Sequence, residues 1–147
     1  MKGNLVRDWM TPDPITVTSN VAIPEAYWIM VNNKIRRLPV VDDGILVGII
    51  TLEDLRQKFP FTSFAIDVVR ASDILSNYPI GKIMSQNPRT TTPDTTLAEA
   101  AKLMIERGIS TLPVMESGKL VGIITESIIF RAFVELTQRT EMSERKS

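Results

Sequence analysis

The residues best placed to do chemistry in this 147-residue chain lie in the run Gly48-Ile49-Ile50-Thr51-Leu52-Glu53-Asp54 and in the basic group Lys34-Ile35-Arg36-Arg37. A β-rich apolar run ends at Thr51 and helix-forming residues follow, so Thr51 stands where a strand gives way to a helix. The first N–H groups of a helix lack backbone partners and favour an anion. Asp54, one turn in, offers two acceptor oxygens. Two readings of this pair are open. Thr-x-x-acid at a helix start is nearly a capping box, in which Thr51 caps and the acid reaches back to the cap N–H with no ligand involved. The same acceptors can receive the two hydroxyls of a ribose, as an acidic residue does in dinucleotide-binding folds. Arg36 and Arg37 divide in the same way. A guanidinium is suited to clamping a phosphate, whereas cations after a helix C-terminus merely complement its dipole, worth ~0.3–1 kcal/mol.

The composition narrows what else these residues could serve. The chain contains no His and no Cys, which removes imidazole bases, thiol nucleophiles, disulfides and the commonest zinc ligands. Carboxylates such as Asp42 and Asp43 fall in a turn, and no convergent acid–base or nucleophile set accompanies them, so the expectation is a protein without a catalytic site or catalytic cofactor. Lys plus Arg and Asp plus Glu each number 17, and Arg36 with Arg37 form a spot rather than a stripe, so nucleic acid is not expected as a partner. The longest apolar run, Ile45 to Ile50, is far below the ~18 residues of a membrane helix, and MKGNLVRDWM lacks the apolar stretch of a signal peptide. A cytoplasmic protein without membrane insertion is expected.

The elements that position these residues come twice. Sliding the sequence by about 74 residues aligns Met10 with Met84, Pro14 with Pro88, Glu25-Ala26 with Glu99-Ala100, Met30 with Met104, Leu38-Pro39-Val40 with Leu112-Pro113-Val114, and Leu46–Thr51 with Leu120–Thr125. Roughly 18 of about 42 positions are identical with no gap, far above chance. Each copy reads as a short strand (Ile15 to Thr18; Arg89 to Thr92), an amphipathic helix, a hairpin and a second helix. The first helix buries Ile23, Ala26, Tyr27, Met30 and Val31 in one copy and Leu97, Ala100, Ala101, Met104 and Ile105 in the other. Pro24 suits a first turn, and Thr96 with Glu99 reads as a capping box. The hairpins turn at Asp42-Asp43-Gly44 and Glu116-Ser117-Gly118. The second helices run from Leu52 to Lys58 and from Glu126 to about Arg139. The expected fold is α+β, two β-α-β-β-α repeats packed sheet to sheet, with repeat 1 over residues 1–57, a packed linker over 58–79, repeat 2 over 80–139 and a polar, frayed tail over 140–147. The linker carries Phe59, Phe61 and Phe64, and apolar spacing at Ala65, Val68, Val69, Ala71, Ile74 and Leu75 predicts a helix in it. Met30 and Met104 read as core.

The paired blocks, Met-x-x-x-Pro, an amphipathic helix, Leu-Pro-Val and then Gly-Ile-Ile-Thr, resemble the tandem cystathionine β-synthase (CBS) domain pair, or Bateman module, over about Val6 to Phe133. The resemblance implies a pseudo-two-fold module with two clefts that bind adenosyl compounds such as AMP, ADP, ATP, S-adenosylmethionine or NAD. It also implies pairing into dimers and regulation of an attached or partner protein. The family's ribose motif is Gly, two apolar residues, Ser or Thr, two variable residues, then Asp or Asn, and it is complete at Gly48 to Asp54. Carried over by resemblance, Asp54 and Thr51 hold the ribose and Arg36 and Arg37 the phosphate. Ile49, Ile50 and Pro39 are further ligand-binding residues of this copy, and Thr90, Thr91 and Thr92, with Ser110 near the phosphate, come from the other repeat. In copy two the motif ends in Ile128, which accepts no hydrogen bond, so the second cleft, with Thr16, Val17, Thr18 and Thr125, is expected to bind weakly or not at all. One good site for an adenine nucleotide follows, acting as a sensor. The competing expectation is an interaction module with empty clefts. The broadly apolar C-terminal helix, Ile128 to Leu136, points to a second packing surface and to a homodimer through the repeat helices.

Overall fold

A computed structural model describes residues 2–58 and 78–146. Most of the 58–79 linker, with its three Phe and its expected helix, lies outside the described residues. In chain order the elements are α1 (Val6–Trp9), β1 (Thr11–Pro12), α2 (Ile23–Asn32), β2 (Arg37–Asp42), β3 (Ile45–Thr51), α3 (Leu52–Lys58), a 3₁₀ turn (Ile80–Lys82), β4 (Ser85–Gln86), α4 (Leu97–Arg107), β5 (Thr111–Glu116), β6 (Lys119–Thr125) and α5 (Glu126–Lys146). The fold is α+β, with two three-stranded antiparallel sheets ordered β2-β3-β4 and β1-β6-β5.

The hairpins form because alternating apolar residues meet a turn that suits the strand twist. Asp43 and Gly44 have φ 49° and 78°, and Ser117 and Gly118 have φ 52° and 77°. Two successive positive φ values define the type I′ geometry that right-twisted strands favour. The register sets Leu38 opposite Ile50 and Leu112 opposite Ile124, and all four side chains are fully buried. The expected first strands shrink to single parallel bridges, Val17 to Val40 and Thr91 to Val114. Their partners explain this: Pro39 and Pro113 accept from Val17 and Thr91 but have no N–H to donate, so the ladder stops after one rung.

The compact units are offset from the sequence repeats. One unit comprises Pro14–Pro88, and the other Met1–Asp13 with Arg89–Ser147. In each, the third strand comes from the Met-x-x-x-Pro block that precedes the opposite repeat, β4 for the first unit and β1 for the second. In the Pro14–Pro88 unit, Ile80 and Ile83 join a core of Val17, Ile23, Ala26, Met30, Leu38, Val40, Ile50, Leu52 and Leu55. In the other, Val6 and Trp9 join Leu97, Ala100, Met104, Leu112, Val114, Ile124, Ile128 and Ala132. Met30 and Met104 are thus core, as their spacing predicts, whereas Val31 and Ile105, expected on the same buried faces, are 41% and 81% exposed. Val6 N–H donates to Thr95 O at 2.8 Å, Leu97 N–H to Asn4 O at 2.8 Å, and Arg7 pairs with Asp94, so the lead-in segment is bonded along its length.

The C-terminal helix is longer than expected. It reaches Lys146 rather than ending near Arg139. Glu135/Arg139 and Glu141/Arg145 stand at i, i+4 with the acid first, the favourable order along a helix. Thr140 Oγ1 donates to Leu136 O at 3.1 Å, and Arg139 donates to Lys2 O at 2.7 Å.

Candidate ligand-binding segments

In the Pro14–Pro88 unit, the β2–β3 hairpin sets Arg37 opposite Thr51, and the carbonyl of Arg36 accepts the first N–H of α3, from Leu52, at 2.8 Å. The basic pair therefore stands at the start of α3. The capping box is complete: Asp54 N–H donates to Thr51 Oγ1 at 2.9 Å, and Thr51 N–H donates to Asp54 Oδ2 at 2.9 Å. Asp54 is half-buried, Arg37 half-buried and Arg36 exposed. The cap uses Asp54 Oδ2, and among the described residues Oδ1 makes no hydrogen bond.

Pleating divides the apolar candidates. Ile50 has no exposed surface and packs in the core with Leu38, while Pro39 and Ile49, opposed in register, point to the other face of the sheet. Val17 is core, and Thr16 and Thr18 are exposed, with Thr18 bonded to Asn20. The next loop is tied to the hairpin, since Asp42 accepts Ser19 N–H at 2.9 Å and Ser19 Oγ–H at 2.5 Å. These two bonds hold the Asp42 carboxyl below the usual carboxylate range.

Gly48 has a role the motif does not announce. A Cβ there would lie 2.5 Å from Met84 Sδ and 2.8 Å from Ser85 O, and at Gly122 2.6 Å from Met10 Sδ and 3.0 Å from Thr11 O. The space over each glycine is filled by the short third strand and its methionine. That explains why Met and Gly recur together in both copies.

The second unit holds Thr90, Thr91, Thr92, Ser110 and Thr125. Thr91 is buried, donating to Pro113 O at 2.9 Å and accepting from Met115 N–H at 2.8 Å. Thr90 and Thr92 are exposed, and the Thr92 and Thr95 hydroxyls share a hydrogen bond of 2.8 Å. Ser110 O accepts Glu126 N–H at 2.9 Å, the counterpart of the Arg36–Leu52 bond. Thr125 Oγ1 accepts from Ile128 N–H at 3.3 Å and shares a hydrogen bond with Ser127 Oγ at 3.0 Å. Ile128 is buried in the core, so the position that Asp54 holds in the first repeat carries no carboxylate here. Thr111, opposite Thr125 and the uncharged counterpart of Arg37, has a buried hydroxyl with no hydrogen-bond partner among the described residues. A surface cavity of about 310 Å³ lies between α4 and α5, with Ser110 and Glu126 at its polar side. It is not at the Thr51–Asp54 pair. Among the described residues no cluster of carboxylates could hold a metal ion. No described helix is long and apolar enough to cross a membrane.

The duplicated hairpin-and-cap plan is that of a CBS domain pair. The chain matches the CBS domain family over residues 6–60 and 80–135, and it belongs to that family. It is similar to the CBS domain-containing protein DDB_G0289609 of Dictyostelium discoideum, 32% identical over 136 residues covering 91% of this chain and 94% of that protein. It is also 30% identical to the MJ1225 protein of Methanocaldococcus jannaschii over 90% of this chain, which spans about half, 48%, of that relative. Among solved structures, CBSX2 in complex with AMP matches with a TM-score of 0.72 at 30% identity, covering 92% of this chain and 99% of that one. The CBS domain pair of MJ0100 in complex with 5′-methylthioadenosine and S-adenosyl-L-methionine matches with a TM-score of 0.70 at 34% identity, covering 89% and 96%.

Proposed function

We propose that this chain is a regulatory module that binds an adenosyl ligand, an AMP-, ADP- or ATP-type nucleotide or S-adenosylmethionine, and passes the bound state to a partner protein. The observation that carries the reading is the start of α3. Asp54 retains Oδ1 beyond its cap, Thr51 supplies a hydroxyl, and Arg36 with Arg37 stand at the same helix start. A diol-accepting carboxylate beside guanidinium groups matches the ribose and phosphate of a nucleotide. The AMP complex of CBSX2 and the S-adenosylmethionine complex of the MJ0100 pair support the ligand class. The chain acts in the cytoplasm as a homodimer through its repeat helices and performs no catalysis of its own.

A second reading has one observation in its favour. The completed capping box accounts for Thr51 and Asp54 without any ligand, as an interaction module with empty clefts requires. Thermal melting against AMP, ADP, ATP, S-adenosylmethionine and NAD separates the two. A ligand at 100 times its dissociation constant adds about 2.7 kcal/mol, and the melting temperature of one of these compounds' complexes rises accordingly. If none shifts the melt, the sensor reading fails and the interaction module replaces it.

A further inference from the structure

The chain has no Cys, so its seven Met carry all of its sulfur. Two of them, Met10 and Met84, stand at matched positions immediately before the short third strand of each sheet. A Cβ at Gly48 would lie 2.5 Å from Met84 Sδ and 3.0 Å from its Cγ, and one at Gly122 2.6 and 3.1 Å from the same atoms of Met10. Each thioether therefore rests on the backbone of a central strand, at the one residue type that leaves it room. A backbone carbonyl oxygen, of Ser85 or Thr11, crowds the same point at 2.8 or 3.0 Å. Both Met are half-buried at the edge of their cores, whereas Met30 and Met104 lie inside, 0% and 5% exposed. The methionines that hold the third strands are thus within reach of solvent, and the core pair is not. Each third strand has only two paired residues, Ser85 and Gln86 or Thr11 and Pro12, so the methionine seat is a large share of what holds it to the sheet.

We propose that Met10 and Met84 form a peroxide-sensitive latch on the two third strands. The thioether sulfur attacks one oxygen of hydrogen peroxide. A sulfur–oxygen bond forms as the oxygen–oxygen bond breaks, the sulfur gives up two electrons, and the second oxygen leaves as water with both protons. The sulfoxide is larger than the thioether, polar, and an acceptor only. Its seat presents the bare face of a glycine and a carbonyl oxygen, neither of which is an N–H or O–H donor. The new oxygen must therefore turn out to water and lift the side chain off the glycine, or stay and go unpaired, and either weakens the seat. Because the same methionine and glycine recur in both units, one oxidant loosens both sheets. Methionine sulfoxide is returned to the thioether by dedicated reductases, so the latch can be reset.

The test exposes the folded full chain to graded hydrogen peroxide, locates the added oxygen at each methionine by mass spectrometry, and follows the melting temperature of the same samples. Met142, 58% exposed on α5, is oxidised first and without effect on the melt. Met10 and Met84 follow, ahead of Met30 and Met104, and the melting temperature falls with them by about 3–10 °C. Methionine sulfoxide reductases A and B restore it. Met10→Leu combined with Met84→Leu, which nearly conserves volume, holds its melting temperature through the same exposure. Met115→Leu combined with Met142→Leu, which removes two other accessible sulfurs, gives no such protection. Core methionines oxidised together with Met10 and Met84, oxidation at those two seats that leaves the melt unchanged, or a Met10/Met84 double variant that loses as much as the wild type overturns the latch. The oxidation map and the reductase step use the wild-type chain, so they decide the matter if the double variant does not fold. No ligand enters the experiment, and its failure is therefore distinct from failure of the sensor reading.

Discussion

Substitution of Asp54 separates the cap from the ligand role. Asp54→Ala removes the acceptor for Thr51 N–H and every ligand acceptor, whereas Asp54→Asn keeps one side-chain oxygen for the 2.9 Å bond to Thr51 and loses the charge and the second acceptor. Without ligand, the Ala variant loses ~1 kcal/mol, the usual cost of a helix cap, or about 2–4 °C in melting temperature. The Asn variant loses less. With ligand the order of effects changes. A charge-assisted hydrogen bond is worth ~1.5–3 kcal/mol, so both variants bind on the order of 10- to 100-fold more weakly. At a ligand concentration that is 100 times the wild-type dissociation constant, the stabilisation of about 2.7 kcal/mol falls to roughly 0.9 kcal/mol for a thirtyfold loss. The ligand-induced shift then drops from about 5–10 °C to about 2–4 °C. The assay is differential scanning fluorimetry of the three proteins across a ligand titration. An Asn variant that keeps the full ligand-induced shift refutes the ribose role and leaves Asp54 a cap alone.

Three further outcomes are expected. Gly122→Ala drives a methyl group into Met10 Sδ at 2.6 Å and Thr11 O at 3.0 Å, so it destabilises the chain by ~1–3 kcal/mol in urea unfolding, and Met10→Ala in the same chain recovers part of the loss. Because bonds from Ser19 lower the Asp42 carboxyl in the folded chain, its contribution is present above the ordinary carboxylate range and is lost as pH falls through the folded value. Asp42→Asn therefore flattens the melting temperature against pH on the acid side and leaves the slope near neutrality unchanged. Ile128→Asp, which copies the motif of the first repeat, costs ~2–5 kcal/mol because it removes a core side chain, and ligand titration by calorimetry still finds no second site.

The parts of this structure legible in the sequence are those governed by short-range periodicity. The hairpins could be read because alternation and a Gly-containing turn act within a dozen residues, and Met30 and Met104 because helical spacing alone puts them inside. The capping box was legible as one of two readings. Elements that depend on distant chain were not. β1 and β4 are two residues each, one containing Pro12, and they exist only because β6 and β3 offer an edge. The short strand at Ile15 to Thr18 looked longer than its single bridge because the limit lies in its partner, Pro39, whose missing N–H is invisible from the strand's own residues. Ile50 is named as a ligand-binding residue because the family motif runs through it, but pleating turns its side chain into the core while its neighbour Ile49 faces the other way.

The offset between sequence repeat and folding unit explains why the motif glycine and its methionine travel together. A repeat cut out as residues 14–58 would carry β2 and β3 but neither β4 nor Ile80 and Ile83, which fill its core with 0% and 5% exposure. Those residues belong, in sequence, to the start of the next repeat. The same holds for Val6 and Trp9, which precede the first repeat yet close the core of the second. Each Met-x-x-x-Pro block is thus a clasp whose binding site, Gly48 or Gly122, is built by the other copy's hairpin. From that glycine the strand runs on to Thr51 or Thr125, at the helix start where ligand recognition is proposed. The clasp's seat at Gly48 and the Thr51–Asp54 cap therefore lie on one strand, three residues apart, so the residues that complete the sheet and those that cap the helix are fixed by the same hairpin.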